Sequence, residues 1–339
     1  MSGRVLQGIG VTMVAGLMAG NCMLPMKFAR RWKWENVWLV FSIVSLLLLP
    51  WALAFALVNR LLGVYSAVPV TAIYIPVIFG AGWGVAQILF GISVRRLGMS
   101  VGYAVIVGLG AVFGTLVPLF VGQRKFVSYA ALVEILAGVL VMVLGIALTA
   151  WGGQVRERAS RSPEFTRTPQ QQGYLAAVLL AVLCGIMAPM LNYAFAFGQK
   201  LASTAVQLGS SPEAAAYAVW PVALLGGLIP NLAYSVYLLQ KNRSWAAFAD
   251  SGSDGAWAAL MGILWIGAIS LYGVASVYLG PLGTAIGWGL LQIFMIMAAT
   301  VSGLLTAEWR NASRKAIALM STGMAALVGA TVLLSVGSR

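Results

Sequence analysis

The chain has 339 residues, of which 61% are hydrophobic and only 9% charged. Soluble domains carry about 25% charged residues, so a soluble globular protein is excluded and an all-α polytopic membrane protein is indicated. The net charge of +13 does not call for nucleic acid, because the basic residues sit between apolar runs, where membrane orientation demands them.

A membrane-spanning helix needs roughly 20 apolar residues. Runs of that kind lie at 5–28, 37–58, 73–95, 99–121, 127–151, 173–197, 214–239, 257–279, 282–306 and 315–336, which predicts ten transmembrane helices. No small-residue cleavage site leads from the first run into a soluble domain, so it reads as a retained helix and not a signal peptide. It closes at "NCMLPMKFARRWKWENVW", residues 21–38. There Pro25 breaks the last turns, and Lys27, Arg30, Arg31 and Lys33 form the densest basic loop. Trp32, Trp34 and Trp38 fall where an aromatic belt is expected. Glu35 is expected to pair with the basic cluster as an exposed, weak ion pair.

The one long polar tract, "GGQVRERASRSPEFTRTPQQQ", divides the chain nearly in half. It predicts a first five-helix unit at 1–153, a linker at 154–172 and a second five-helix unit at 173–339. Side A, the face of the N-terminus, receives six basic residues, and side B receives fifteen. The excess marks side B as cytoplasmic and places both termini on the outer side of the membrane.

The two halves resemble each other. "FGAGWGVAQILFGISVRRLG" (79–98) and "MGILWIGAISLYGVASVYLG" (261–280) share Gly80/Gly262, Trp83/Trp265, Ala86/Ala268, Gly91/Gly273, Leu97/Leu279 and Gly98/Gly280 at a constant offset of 182. An odd number of helices per unit turns the second copy upside down. Inverted repeats of this kind place a substrate site near the bilayer midplane. Rocking of one half against the other would open it to each side in turn. Nothing resembles a Walker A motif or a catalytic triad, and histidine is absent. This leaves secondary transport rather than an enzyme or ATP-driven pump, with no cofactor and no metal. Cys22 and Cys184 lie inside apolar runs and read as packing residues.

Glycines at 80, 84 and 91 in the third helix and at 98, 102, 108, 110 and 114 in the fourth suit close helix contacts. Pro221 and Pro230 predict a kink in the seventh. Trp83 and Gln87 are one turn apart on one helix face, and Trp288 and Gln292 repeat the spacing with Thr284 one turn earlier. An indole plane and an amide that both donates and accepts suit a sugar's C–H faces and hydroxyls. Asn21, Asn192 and Tyr193, and Trp265 as the repeat mate of Trp83, complete the candidate substrate-binding set. For any one of these groups, packing or bonding to a neighbouring helix is the favoured alternative, and only for the two Trp-x-x-x-Gln faces together do the two readings stand even. Of eight acids, only Glu134 lies clearly inside a span, and it is the candidate for proton coupling.

Over nearly its full length the chain resembles the L-rhamnose–proton symporter family of bacterial inner membranes, within the drug/metabolite transporter superfamily. The segments that carry this are "LPMKFARRWKWENVW" (24–38), "LPW" (49–51), "WGVAQILFGISVRRLGMSVG" (83–102), "GTLVP" (114–118), "LCGIM" (183–187) and "EWRNASRK" (308–315). The resemblance implies symport of L-rhamnose with a proton. The expected partners are a small neutral sugar, a proton and the lipid bilayer, with no nucleic acid; the oligomeric state is left open and a monomer is compatible. Two other readings stand beside it: a carrier of the same fold for another metabolite, such as an amino-acid exporter, and a non-transporting membrane scaffold. The first is disfavoured by the nearly uncharged interior, the second by the repeat and by the lack of an extramembrane domain.

Overall fold

A computed structural model describes residues 3–97, 99–160, 174–250 and 252–337. Among these, ten helices are long and apolar enough to cross a membrane. They are α1 (Gly3–Phe28), α2 (Trp34–Leu57), α3 (Val70–Val94), α4 (Val101–Phe126), α5 (Tyr129–Ala159), α6 (Tyr174–Gln207), α7 (Pro212–Lys241), α8 (Gly252–Tyr278), α9 (Gly280–Leu305) and α10 (Arg314–Val336). No strand occurs among the described residues. A short helix, Leu61–Ala67, sits in the α2–α3 connection. The helix that forms α5 continues to Ser160, so the start of the expected linker is helical. Residues 161–173 of that linker lie outside the described residues.

Prolines explain the irregular spans. Pro25 opens a 3₁₀ turn, Leu24–Phe28, after the α-helix of α1 ends at Asn21. In α2, a π-helical segment Ile43–Leu48 precedes Pro50; a wider turn relieves the clash of the proline ring with the carbonyl four residues back. In α6, the helix stops at Met187 and restarts at Met190, with Pro189 between. By contrast α7 runs through Pro230 as one helix, Trp220–Lys241.

The packing has an exchange symmetry. α1 packs on α8 and α9, while α6 packs on α3 and α4; α2 packs on α8, while α7 packs on α3; and α4–α9, α5–α10 and α2–α7 are pairs in their own right. Each main contact thus has a counterpart when every helix is replaced by the one five places along. Small residues permit the closest approaches. A Cβ on Gly80 would lie 1.8 Å from the Ala223 carbonyl oxygen, and one on Gly226 would lie 2.0 Å from that of Val77, so α3 and α7 interlock backbone to backbone. A Cβ on Gly16 would meet Phe294 Cβ at 2.3 Å, which locks α1 to α9. Gly91, grouped with Gly80 and Gly84 in the sequence, faces open space.

Side B is tied by polar groups within this scheme. Asp254, buried at the start of α8, accepts from the backbone N–H groups of Arg31 (2.7 Å), Trp32 (2.8 Å) and Arg30 (3.3 Å). Lys27 and Glu308 form an ion pair, joined by Arg156 at 3.5 Å, whose guanidinium also lies 4.6 Å over the Trp309 ring. The expected pairing of Glu35 with the basic loop is not what the fold makes. Glu35 is only 4% exposed, and its Oε1 accepts from Asn242 Nδ2 (2.9 Å) and Ser244 Oγ (2.7 Å) beyond the end of α7. A carboxylate in the first turn of α2 is brought against the C-terminal end of α7 by the α2–α7 contact, and neutral donors satisfy it there. Trp38 does not sit in an exposed belt either: it is buried, and its indole N–H donates to Asn231 Oδ1 at 2.9 Å.

Candidate substrate site

α3 and α9 both run from side A to side B. Each therefore places its glutamine about 6 Å nearer side B than the tryptophan one turn before it. Trp83 is buried in α3, and its ring stacks on that of Trp265 from α8, with centroids 5.1 Å apart and planes 25° from parallel. These are the two tryptophans matched at offset 182, and their direct stacking puts them at the centre of the packing exchange described above. Trp265 also meets Phe41 edge to face at 6.2 Å. Gln87, one turn below Trp83, is half-buried and makes no hydrogen bond. Gln292 is 9% exposed, near the middle of α9, and likewise makes none. A buried amide without a partner is costly in a bilayer. Gln292 on α9, and the less buried Gln87 on α3, each keep a side-chain amide without a protein partner; Thr115, Ser270 and Trp220 also carry buried polar atoms that have none.

The other candidates have protein partners. Asn192, fully buried in α6 just beyond the Pro189 break, donates from Nδ2 to Gly114 O of α4 (2.8 Å) and to Thr284 O of α9 (3.1 Å). Its Oδ1 accepts from the Tyr272 hydroxyl of α8. Local sequence accounts for one of these bonds: Pro118, four residues after Gly114, has no N–H to give to the Gly114 carbonyl, and the Asn192 amide supplies one. The Tyr193 hydroxyl donates to Phe113 O at 3.0 Å, and its ring packs on Phe79. Trp288 donates from Nε1 to Gly110 O at 3.1 Å and lies edge to face with Tyr272. Asn21 ends the α-helical part of α1; its Oδ1 accepts from Ser302 Oγ at 2.5 Å, on the α1–α9 contact. Glu134 is half-buried early in α5, a helix that packs on α10 and α4. Cys22 and Cys184 are buried free thiols.

Three groups outside the candidate substrate-binding set enter here. Tyr272 is fully buried and also donates to Thr284 O at 3.1 Å, and Thr284 Oγ1 accepts from Gln123 Nε2 at the end of α4. Thr284 was visible as the third member of the Thr284–Trp288–Gln292 face. Nothing local marks Tyr272, because its partners lie on other helices.

A family model described as L-rhamnose-proton symport protein (RhaT) matches residues 1–338. The chain belongs to this family. L-rhamnose-proton symporters of Klebsiella pneumoniae and Citrobacter koseri are 28% and 27% identical to it, each over 99% of both chains. One from Escherichia coli is 27% identical with the same coverage. Like those relatives, this member of the L-rhamnose-proton symport family is a transporter and not an enzyme.

Proposed function

We propose that the protein imports L-rhamnose, or a similar neutral sugar, together with a proton by alternating access across a bacterial inner membrane. The full-length family match carries this reading. The midplane chemistry supports it: stacked indoles offer an apolar face, and the amides of Gln87 and Gln292 can each donate to and accept from ring hydroxyls. The same chemistry disfavours a charged cargo, which would want a buried counter-charge.

The two units at 1–153 and 173–339 act as inverted repeats in this reading, as the exchange symmetry of the packing suggests. The bodies that rock are then not the sequence halves. Close packing ties α1 to α8 and α9, and α6 to α3 and α4, so each body draws helices from both halves and the site lies between them. Side B faces the cytoplasm and both termini face the periplasm. A reporter fused after Arg339 that was active only in the cytoplasm would reverse that assignment. Glu134 is the candidate carboxylate for proton coupling, since Glu35, Glu157, Glu213 and Asp254 stand at the ends of their spans; proton uptake undiminished in Glu134→Gln would remove it.

Counterflow in proteoliposomes tests the cargo. Unlabelled L-rhamnose inside is expected to drive entry of labelled L-rhamnose. Exchange of a labelled amino acid in its place would favour the metabolite-exporter reading.

A further inference from the structure

The hydrogen bonds that join α8 or α9 to α4 or α6 all lie from the midplane toward side A. Thr284, in the first turns of α9, receives Asn192 and Tyr272 at its carbonyl and Gln123 at its hydroxyl. Asn192 itself receives the Tyr272 hydroxyl, and Trp288 reaches across to Gly110 O. Toward side B, past Gln87 and Gln292, no hydrogen bond among the described residues joins these four helices across the divide. Two connections there run within a body, Asn21 to Ser302 between α1 and α9 and the Cys184 thiol to Ala86 O (3.1 Å) between α6 and α3, while α2 is joined to the end of α7 through Glu35 and Asn36.

We propose that Asn192, Tyr272, Thr284 and Gln123 form the gate that seals the substrate site from side A, which deepens the transporter reading and rests on it. The bonds span the two bodies that must part, and between α8–α9 and α4–α6 they lie on one side only; the α2–α7 contact carries its own bonds at side B, from Asn242 and Ser244 to Glu35. Their chemistry suits repeated opening. Asn192 and Tyr272 are fully buried, so in a dry bilayer their donors must stay bonded. When the bodies part, water enters from side A and replaces the lost partners at little cost. Two of the acceptors are helix carbonyls, which stay in place on either side of the opening. An apolar seal of the same shape would have no such exchange to offer. The structure is accordingly the state closed to side A.

The test uses a Gln87→Cys reporter with Cys22 and Cys184 replaced by alanine. Membrane vesicles of both orientations are treated with a membrane-impermeant thiol reagent. With the gate intact, labelling is expected from side B and not from side A. Tyr272→Phe keeps the ring packed against Phe195 and Trp220 and removes only the hydroxyl. It is expected to raise the side-A labelling rate about threefold, the population shift that one lost interhelical bond in a bilayer supports. Asn192→Ala is expected to raise it further. Retained side-B labelling in the same preparations shows that each variant is folded. Side-A rates unchanged in folded Tyr272→Phe, or a reporter already open to side A without it, would overturn the gate. The readout is accessibility and not uptake, so the side-A shift in the reporter, with wild type that carries no sugar, refutes the cargo and leaves the gate.

Discussion

Gly114 is the residue whose replacement bears most directly on the packing around the site. A Cβ there would stand 2.1 Å from Trp288 Nε1, 2.3 Å from its Cδ1 and 3.0 Å from Pro189 Cβ. The indole cannot stay where it is, and moving it breaks the Trp288–Gly110 bond. Overpacking costs about 1–3 kcal/mol, and an interhelical hydrogen bond in a bilayer contributes about 0.6 kcal/mol. Gly114→Ala is therefore expected to lose about 2–3 kcal/mol. Gly110→Ala, one turn earlier on the same helix, is the internal control: its Cβ would meet Ala188 Cβ at 3.6 Å, an ordinary contact, and the Gly110 carbonyl remains. Denaturant titration in mixed micelles, followed by tryptophan emission, measures both. Equal stability of the two variants would refute the placement of Trp288 and, with it, the account of this side of the site.

Three further outcomes are expected. Gln87→Ala and Gln292→Ala should each raise the KM for L-rhamnose about fivefold while leaving helicity and yield unchanged, because each removes one substrate bond of roughly 1 kcal/mol and no protein bond; uptake kinetics unaltered in both would exclude the amides from the site. Glu35→Ala should destabilise by about 1–3 kcal/mol, since it leaves the buried Ser244 hydroxyl without its acceptor, the exposed Asn242 amide being able to turn to water, whereas Glu35→Gln keeps an acceptor and should cost less. A cost that was equal for both and relieved by salt would restore the ion pair expected from sequence. The hydrogen bond from Lys27 is the main cause that holds the Glu308 carboxyl below its ordinary value. A lowered carboxyl contributes stability that is present above the unfolded-state pKa of about 4.3 and is lost as pH falls through the folded value. The difference between wild type and Glu308→Gln should thus be seen at pH 7 and vanish in acid; it should also be small, because the pair is half exposed.

Much of this architecture is written locally. Hydropathy alone places the ten spans, because a bilayer requires a long apolar helix at each crossing. Where the sequence fell short, the cause was polar or tertiary. The expected end of α6 at 197 is where the α-helix Met190–Phe197 stops at Gly198, and a further polar helical segment, Gln199–Gln207, carries the span on to Gln207. Leu61–Ala67 is too short for a periodic signal. The prolines at 25 and 189 mark real breaks, while Pro230 does not.

The candidate site divides in the same way. The spacing of Trp83–Gln87 and of Trp288–Gln292 could be read from helix geometry, as could the repeat that brings Trp83 onto Trp265. Which polar group is already satisfied could not, because the partners of Asn192 lie 78 and 92 residues away along the chain. Glu35 misled for that reason: its nearest charges in sequence are basic, but its donors are 207 and 209 residues distant.

The central claim is proton-coupled import of a neutral sugar. Purified protein in proteoliposomes, given external labelled L-rhamnose with and without an inward proton gradient, tests it most directly. The account predicts accumulation above the equilibrium level only with the gradient, abolished by a protonophore, with alkalinisation of the medium on adding sugar. Folded protein that accumulates no L-rhamnose under either condition would contradict it.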